Sequence, residues 1–161
     1  EVALCYSSNQ RLLAAARTHV DHHLKLCEYT EKRRWKEKGP LSLPMQHPAD
    51  LIEMNRNCLL LTYGLRNRGL MGLAARISLD QGSSWLPPMT IHQFGDSARD
   101  VGYPSTVVLD DSGSLLTAYY TDFEPQSRGP KSRYRVLVKR WNLSSWIAPS
   151  IHHKIFEEGS G

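Results

Sequence analysis

The chain has 161 residues, 40% of them hydrophobic and 22% charged, with a formal net charge of +4 at pH 7. That is the balance of an ordinary globular domain; it excludes a low-complexity chain, and no apolar run is long enough to span a membrane. Three cysteines, Cys5, Cys27 and Cys58, without C-x-x-C spacing, are too few for a disulfide framework and are expected as buried free thiols, the alternative being one disulfide with one thiol left over.

The chain opens Glu1-Val2-Ala3-Leu4-Cys5-Tyr6 with no basic region followed by a long apolar stretch, so a signal peptide is expected to be absent or already removed. Residues 11–17 and 23–29 are expected as the second and third strands of a truncated first unit. The Leu and Ala content of residues 9–29 also suits a helix. The order of elements favours strands, because Leu13 then takes the place in its unit that Leu60 and Leu116 take in theirs. Residues 32–38 gather basic side chains around Trp35. No recognised nucleic-acid motif accompanies them, so a solvated hairpin tip is expected and a nucleic-acid partner is not. The prolines from Pro40 to Pro44 and at Pro87-Pro88 suit crossings between units.

A repeat follows. His47-Pro48-Ala49-Asp50-Leu51-Ile52 aligns with Tyr103-Pro104-Ser105-Thr106-Val107-Val108 at a shift of 56 positions, and the same shift superimposes Leu60 on Leu116 and Tyr63 on Tyr119. Each copy reads as a proline-led apolar strand, then a turn at Asn55-Arg56-Asn57 or Asp110-Asp111-Ser112-Gly113. A second strand over 59–63 or 115–120 and a third over 71–78 or 134–140 complete it. Trp35, Trp85 and Trp141 recur at intervals of 50 and 56, the length of a four-stranded propeller blade.

Residues 78–85, Ser-Leu-Asp-Gln-Gly-Ser-Ser-Trp, fit the pattern S-x-D-x-G-x-x-W. The pattern describes a tight turn between strands. From Ser78 onward, Asp80 accepts backbone N–H bonds, Gly82 takes a positive φ, and Trp85 fills the apolar space beneath.

With this turn and Gly102-Tyr103-Pro104-Ser105, residues 39–120, about half of the chain, resemble the sialidase-like Asp-box glycoside hydrolases. The resemblance implies an all-β fold, a β-propeller of the sialidase type. Complete members are six-bladed and well over twice this length. The chain would supply a fragment of roughly two and a half to three four-stranded antiparallel blades: residues 1–38 a truncated blade, 39–94 a blade with the Asp box, 95–150 a third, and 151–161 a tail. A partial ring leaves apolar faces open, so self-association through them is expected.

The implied activity is exo-hydrolysis of a terminal, acidic sugar from a glycan, without cofactor or metal. A sugar whose anomeric carbon bears a carboxylate repels an Asp or Glu nucleophile, and the family uses a tyrosine activated by a glutamate. Tyr103 falls in the family's nucleophile position, although Pro104 stands where the family has Ser. Arginines hold the substrate carboxylate through paired N–H bonds. Arg66 and Arg68 precede the third strand, which runs into the Asp box, with Arg68 nearer in register, and Arg17 ends the second strand of the first unit. Arg76, inside a strand, is expected to be structural. Asp50, Asp100 and His47 are the candidates for the general acid. The Phe/Tyr-Arg-Ile-Pro motif and a glutamate partner for the tyrosine are not found in this sequence.

His19, His22, His23, His152 and His153 have no carboxylate at ligand spacing, so no metal site is expected. Asn142-Leu143-Ser144 is a glycosylation sequon and agrees with the secreted location that the resemblance implies. A second class of function stays open: a propeller without catalysis, serving as a carbohydrate-binding or protein-interaction platform.

Overall fold

A computed structural model describes residues 1–110, 112–123 and 134–156; Asp111 of the second turn and the tail from 157 lie outside them. Three antiparallel sheets carry the chain. β1 (Val2–Tyr6), β2 (Leu12–Arg17), β3 (Leu24–Tyr29) and β4 (Trp35–Pro40) form the first, and β5 (Gln46–Asn55), β6 (Cys58–Leu65), β7 (Met71–Ser78) and β8 (Met89–Gly95) the second. The third joins β9 (Val101–Val108), β10 (Ser114–Thr121) and β11 (Arg135–Asn142), after which come a 3-10 turn (Leu143–Ser145) and one helix, α1 (Pro149–Phe156). Neighbouring strands in each sheet are consecutive in the chain, so every connection within a sheet is a hairpin.

The sheets are held face to face by two apolar layers. Leu13, Ala15, Leu24 and Leu26 of the first sheet meet Leu51, Leu59, Leu61 and Tyr63 of the second. On the other side of the second sheet, Leu60, Leu73, Ile77 and Phe94 meet Val101, Leu115, Tyr119 and Trp141 of the third. β6 explains why its sequence runs apolar without alternation: it is covered on both faces, with Leu59 and Leu61 in one layer and Cys58 and Leu60 in the other. Each such fully buried leucine contributes roughly 1.5–3 kcal/mol. Cys5, Cys27 and Cys58 are free, and burial pushes the Cys58 thiol up to about 12.

Residues 9–29 are strands rather than a helix. The stretch expected to be truncated forms a complete four-stranded sheet, because Val2–Tyr6 and Trp35–Pro40 pair on either side of β2 and β3. Pro87 and Pro88 lead into β8 inside the second sheet, whereas Pro40 ends β4 and Pro44 stands in the crossing from the first sheet to the second.

The repeat is not in one register. A uniform shift of 56 would carry the pair Ala49 and Tyr63 onto Ser105 and Tyr119, yet Ser105 pairs with Ala118. That one-residue slip turns β9 over. Leu51 is 2% exposed inside the first layer, while Val107, its counterpart in sequence, is 51% exposed and Thr106 takes the inward place. The tryptophan spacing is likewise not a structural repeat. Trp35 begins a fourth strand, Trp85 follows the turn after β7, and Trp141 sits near the end of a third strand.

The turn after β7 is built as its residue types dictate. The Ser78 hydroxyl donates to Asp80 Oδ1 (2.8 Å) and accepts the Gly82 N–H (2.7 Å), while Asp80 Oδ1 accepts the Ser84 N–H (2.8 Å). Gly82 stands at φ 85°, and Trp85 is half-buried against the first apolar layer. Arg76 spans the base of this loop, donating to the carbonyls of Leu86 (2.9 Å), Leu41 (2.9 Å) and Trp85 (3.1 Å).

One face of each outer sheet is open. Val2, Leu4 and Tyr6 alternate outward on β1, and Val136 and Val138 on β11. Between the second and third sheets a buried row of polar groups runs from Thr62 to Thr106 (2.9 Å), Thr117 (3.0 Å) and the Trp141 indole N–H (2.9 Å).

Candidate functional site

The first strands of the three sheets start at one end of the molecule, beside the ends of β2 and β6. Two glycines let them approach. A Cβ on Gly102 would lie 2.8 Å from Pro48 Cδ, and one on Gly64 would lie 2.8 Å from the His47 carbonyl and 3.1 Å from that of Val101. The His47-Pro48 peptide bond is cis.

Tyr103 breaks the ladder here. Gly102 pairs with Tyr120 and Ser105 with Ala118, leaving Tyr103 in a bulge at φ 48° with its ring 55% exposed. Its hydroxyl donates to Glu1 Oε1 (2.8 Å). The other Glu1 oxygen lies 3.2 Å from Arg17 Nη1 and 3.5 Å from His47 Nδ1. Beside this group Arg66 pairs with Asp100 Oδ1. Asp100 Oδ2 accepts the hydroxyls of Tyr120 (3.0 Å) and Tyr134 (3.1 Å). Ring contacts join the halves, with centroids 5.7 Å apart for Tyr103 and Tyr120 and 5.5 Å for Tyr120 and Tyr134. Asp100 is itself held by its amide, which donates to Asp122 Oδ1 (2.9 Å), and by its carbonyl, which accepts the Thr121 hydroxyl (2.9 Å).

The charges are set by their neighbours. Burial acts to raise the Glu1 carboxyl, but the Tyr103 hydrogen bond and the Arg17 charge outweigh it and hold it below its ordinary value. The same hydrogen bond holds the Tyr103 phenol above its own, so in the resting site the proton stays on tyrosine. Burial, followed by the Arg66 charge, pushes His47 down to about 4. His47 is buried with no hydrogen bond at either ring nitrogen among the described residues, and it is a neutral imidazole whose Nδ1 lies 3.5 Å from the Glu1 carboxylate.

His47 therefore carries a pH signature. The unfolded chain takes up its proton near 6.5 and the folded one only near 4. Between those values the unfolded state holds more protons, so the contribution of His47 to stability falls as pH drops from 6.5 towards 4 and is level below. Melting temperatures measured from pH 7.5 to 4 are expected to fall less steeply for His47→Gln than for the parent chain.

Of the residues singled out by sequence, the structure brings together Tyr103, Asp100, His47, Arg17 and Arg66. Arg68 and Asp50 are elsewhere. The chain after β6 turns back through the Leu70 N–H to Asn67 carbonyl bond (2.9 Å), with Gly69 at φ 79°, which carries Arg68 into solvent and leaves Arg66 as the arginine of the cluster. Asp50 lies farther along β5, between sheets, where Oδ2 accepts the Thr106 N–H (2.7 Å) and burial raises its carboxyl. Glu1, Tyr120 and Tyr134 were not anticipated, and Glu1 supplies the carboxylate partner that Tyr103 lacked in the sequence. A positional signal existed, since Glu1 precedes β1 much as His47 opens β5 and Tyr103 falls early in β9.

No protein-family model and no curated protein matches the chain. Among solved structures it is similar to a protein of unknown function from Dyadobacter fermentans DSM 18053, at 20% identity and a TM-score of 0.64 over 87% of this chain and 36% of that one. It is also similar to an alpha-L-arabinanase of Penicillium chrysogenum complexed with arabinobiose, at 15% identity and a TM-score of 0.60 over 74% of this chain and 41% of that one. The chain thus spans about two fifths of the length of these structures. At such identities the likeness is one of fold: an all-β chain of antiparallel sheets resembling a propeller glycoside hydrolase.

Proposed function

We propose that the three sheets are consecutive blades of a sialidase-type propeller and that the Tyr103 cluster is its active end. The protein is then an exo-acting glycoside hydrolase, or part of one, that removes a terminal acidic sugar. The observation that carries this reading is the Tyr103 hydroxyl seated on the Glu1 carboxylate (2.8 Å) with Arg17 on the same carboxylate.

In this scheme Arg17 and Arg66 turn from their carboxylate partners to the substrate's carboxylate, which their planar N–H groups fit. Tyr103 attacks the anomeric carbon while its proton passes to Glu1, whose lowered acidity range keeps it ionised and ready to accept. The glycosidic oxygen takes a proton from solvent water and leaves as the aglycone alcohol; a second water then attacks the anomeric carbon and gives its proton to solvent, while the departing tyrosine oxygen takes its own proton back from Glu1. Asp100 acts as a positioning residue, aligning Arg66 and the tyrosine rings that would face the sugar.

A second reading has one observation in its favour: each arginine is already matched by a carboxylate, Arg17 by Glu1 and Arg66 by Asp100. A site so balanced also suits a binding platform for a neutral glycan. Fluorogenic glycosides of sialic acid, glucuronic acid and arabinose separate the two. Release from the acidic glycosides alone is the expected result. Release from the arabinoside alone would replace the acidic substrate with a neutral one. A rise in melting temperature with glycans but no release from any would favour the platform.

A further inference from the structure

The molecule's net charge is concentrated far from the Tyr103 cluster. From Lys25 to Lys38 the chain holds six basic and three acidic side chains, leaving fourteen and thirteen for all the rest. Within this hairpin and beside it, Glu37 is taken by Lys25 (2.9 Å), and Glu28 by Arg11 (2.5 Å) and Lys38 (3.4 Å). Lys32, Arg33, Arg34 and Lys36 are exposed, and no carboxylate lies within ion-pair distance of them among the described residues. Beside these cations Tyr29 and Trp35 face each other across β3 and β4, edge to face with ring centroids 5.3 Å apart, and Trp35 is 47% exposed. The groove they border has a volume of about 860 Å³ and is closed on one side by the turn at Asn9 and Gln10. It lies at the end of the sheets opposite Tyr103, since β3 runs from Leu24 beside the cluster end to Tyr29 at the tip.

We infer that this hairpin tip is a second binding site, for a sulfated or carboxylated polysaccharide. The four unmatched cations supply charge-assisted bonds to sulfate or carboxylate groups. The exposed indole offers a flat apolar face for a sugar ring, and covering it removes apolar surface from water. Glu28 and Glu31 also line the groove and, with Asn9 and Gln10, accept bonds from sugar hydroxyls. Those two carboxylates favour a polysaccharide over DNA, because its free hydroxyls can donate to them and the DNA backbone has none to offer. The site is an anchor rather than a subsite of the reaction, because it faces away from the Tyr103 end. An anionic polysaccharide held there leaves that end free for other glycans.

Calorimetric titration of the whole chain with a heparin-derived octasaccharide, an unsulfated dextran of equal length and a single-stranded oligonucleotide of equal charge tests the inference. The sulfated sugar is expected to bind with an affinity that falls as salt is raised, the dextran not to bind, and the oligonucleotide to bind about tenfold more weakly. Replacing Lys32 and Arg34 together by serine should weaken the sulfated sugar about tenfold and flatten the salt dependence. Trp35→Ala should weaken it by a similar factor, about tenfold, while leaving the salt dependence intact, since it removes stacking and not charge. All three positions are exposed, and unchanged melting temperatures would verify that the variants fold. Failure of the sulfated sugar to bind, equal or tighter binding of the oligonucleotide, or indifference to Trp35→Ala would each overturn the proposal.

Discussion

Gly72→Ala is expected to remove about 3–5 kcal/mol of stability, a large share of the roughly 5–15 kcal/mol that holds an ordinary domain folded. The demand at this position is for space. Gly72 pairs with Gln93 between β7 and β8, where the ladder shifts register on either side. A Cβ there would sit 2.2 Å from the His92 carbonyl oxygen and 3.0 Å from the Gln93 Cα. Both are backbone atoms, so no side-chain rotation relieves the overlap and the two strands must part. β8 carries Met89, Ile91 and Phe94 into the layer shared with the third sheet, and parting it opens that layer to water. Chemical denaturation of the variant measures the loss. A change below about 1 kcal/mol would mean that β7 and β8 separate here at little cost, contrary to the packing.

The other large effect is chemical. If the proposed activity holds, Tyr103→Phe is expected to lower turnover of the cleaved glycoside by about a thousandfold, because it deletes the oxygen proposed to attack and leaves the ring in place. Stability should barely change: the ring is exposed and the hydroxyl makes one bond, to Glu1, worth about 1 kcal/mol. Asp100→Asn makes the contrast. It weakens the partner of Arg66 and the acceptor of two tyrosine hydroxyls, so KM and melting temperature should both move. If Tyr103→Phe keeps most of the turnover, another group forms the bond to the sugar and the role given to Tyr103 is wrong.

What the sequence could tell depended on how far each interaction reaches. The turn from Ser78 to Trp85 was fully legible, since its bonds join residues at most four apart. Eight strands were legible from apolar runs bounded by proline and turn residues, whereas β1, β4 and β8 were not: β4 is exposed along most of its length and β8 follows a Pro-Pro pair. Register was not: a period of two residues fits equally well after a slip of one, and the slip in β9 comes with the Tyr103 bulge, which nothing in Gly-Tyr-Pro-Ser announces. The choice of Arg66 over Arg68 was hidden for a similar reason, being made by a turn that closes only between them and Leu70. Glu1 meets Tyr103 across 102 positions of chain, and no local pattern foretells such a contact. Arg76 was legible as structural from its place in a strand, but the three carbonyls it bridges come from loops that only the fold brings near.

The row of polar groups that starts at Thr62 helps to fix how the second and third sheets meet. An indole nitrogen can only donate, so the Trp141 N–H fixes the Thr117 oxygen as acceptor. That oxygen keeps a second lone pair and its own hydrogen, so either hydroxyl can be the donor between Thr117 and Thr106 and again between Thr106 and Thr62. Apolar faces alone can slide past each other at small cost, as two oiled plates do. Here a slide of one residue would break the Thr62–Thr106 bond, the one link of the row that crosses between the sheets, and leave the buried Thr62 hydroxyl without that partner, so this pair acts as a key that favours one alignment of the two sheets.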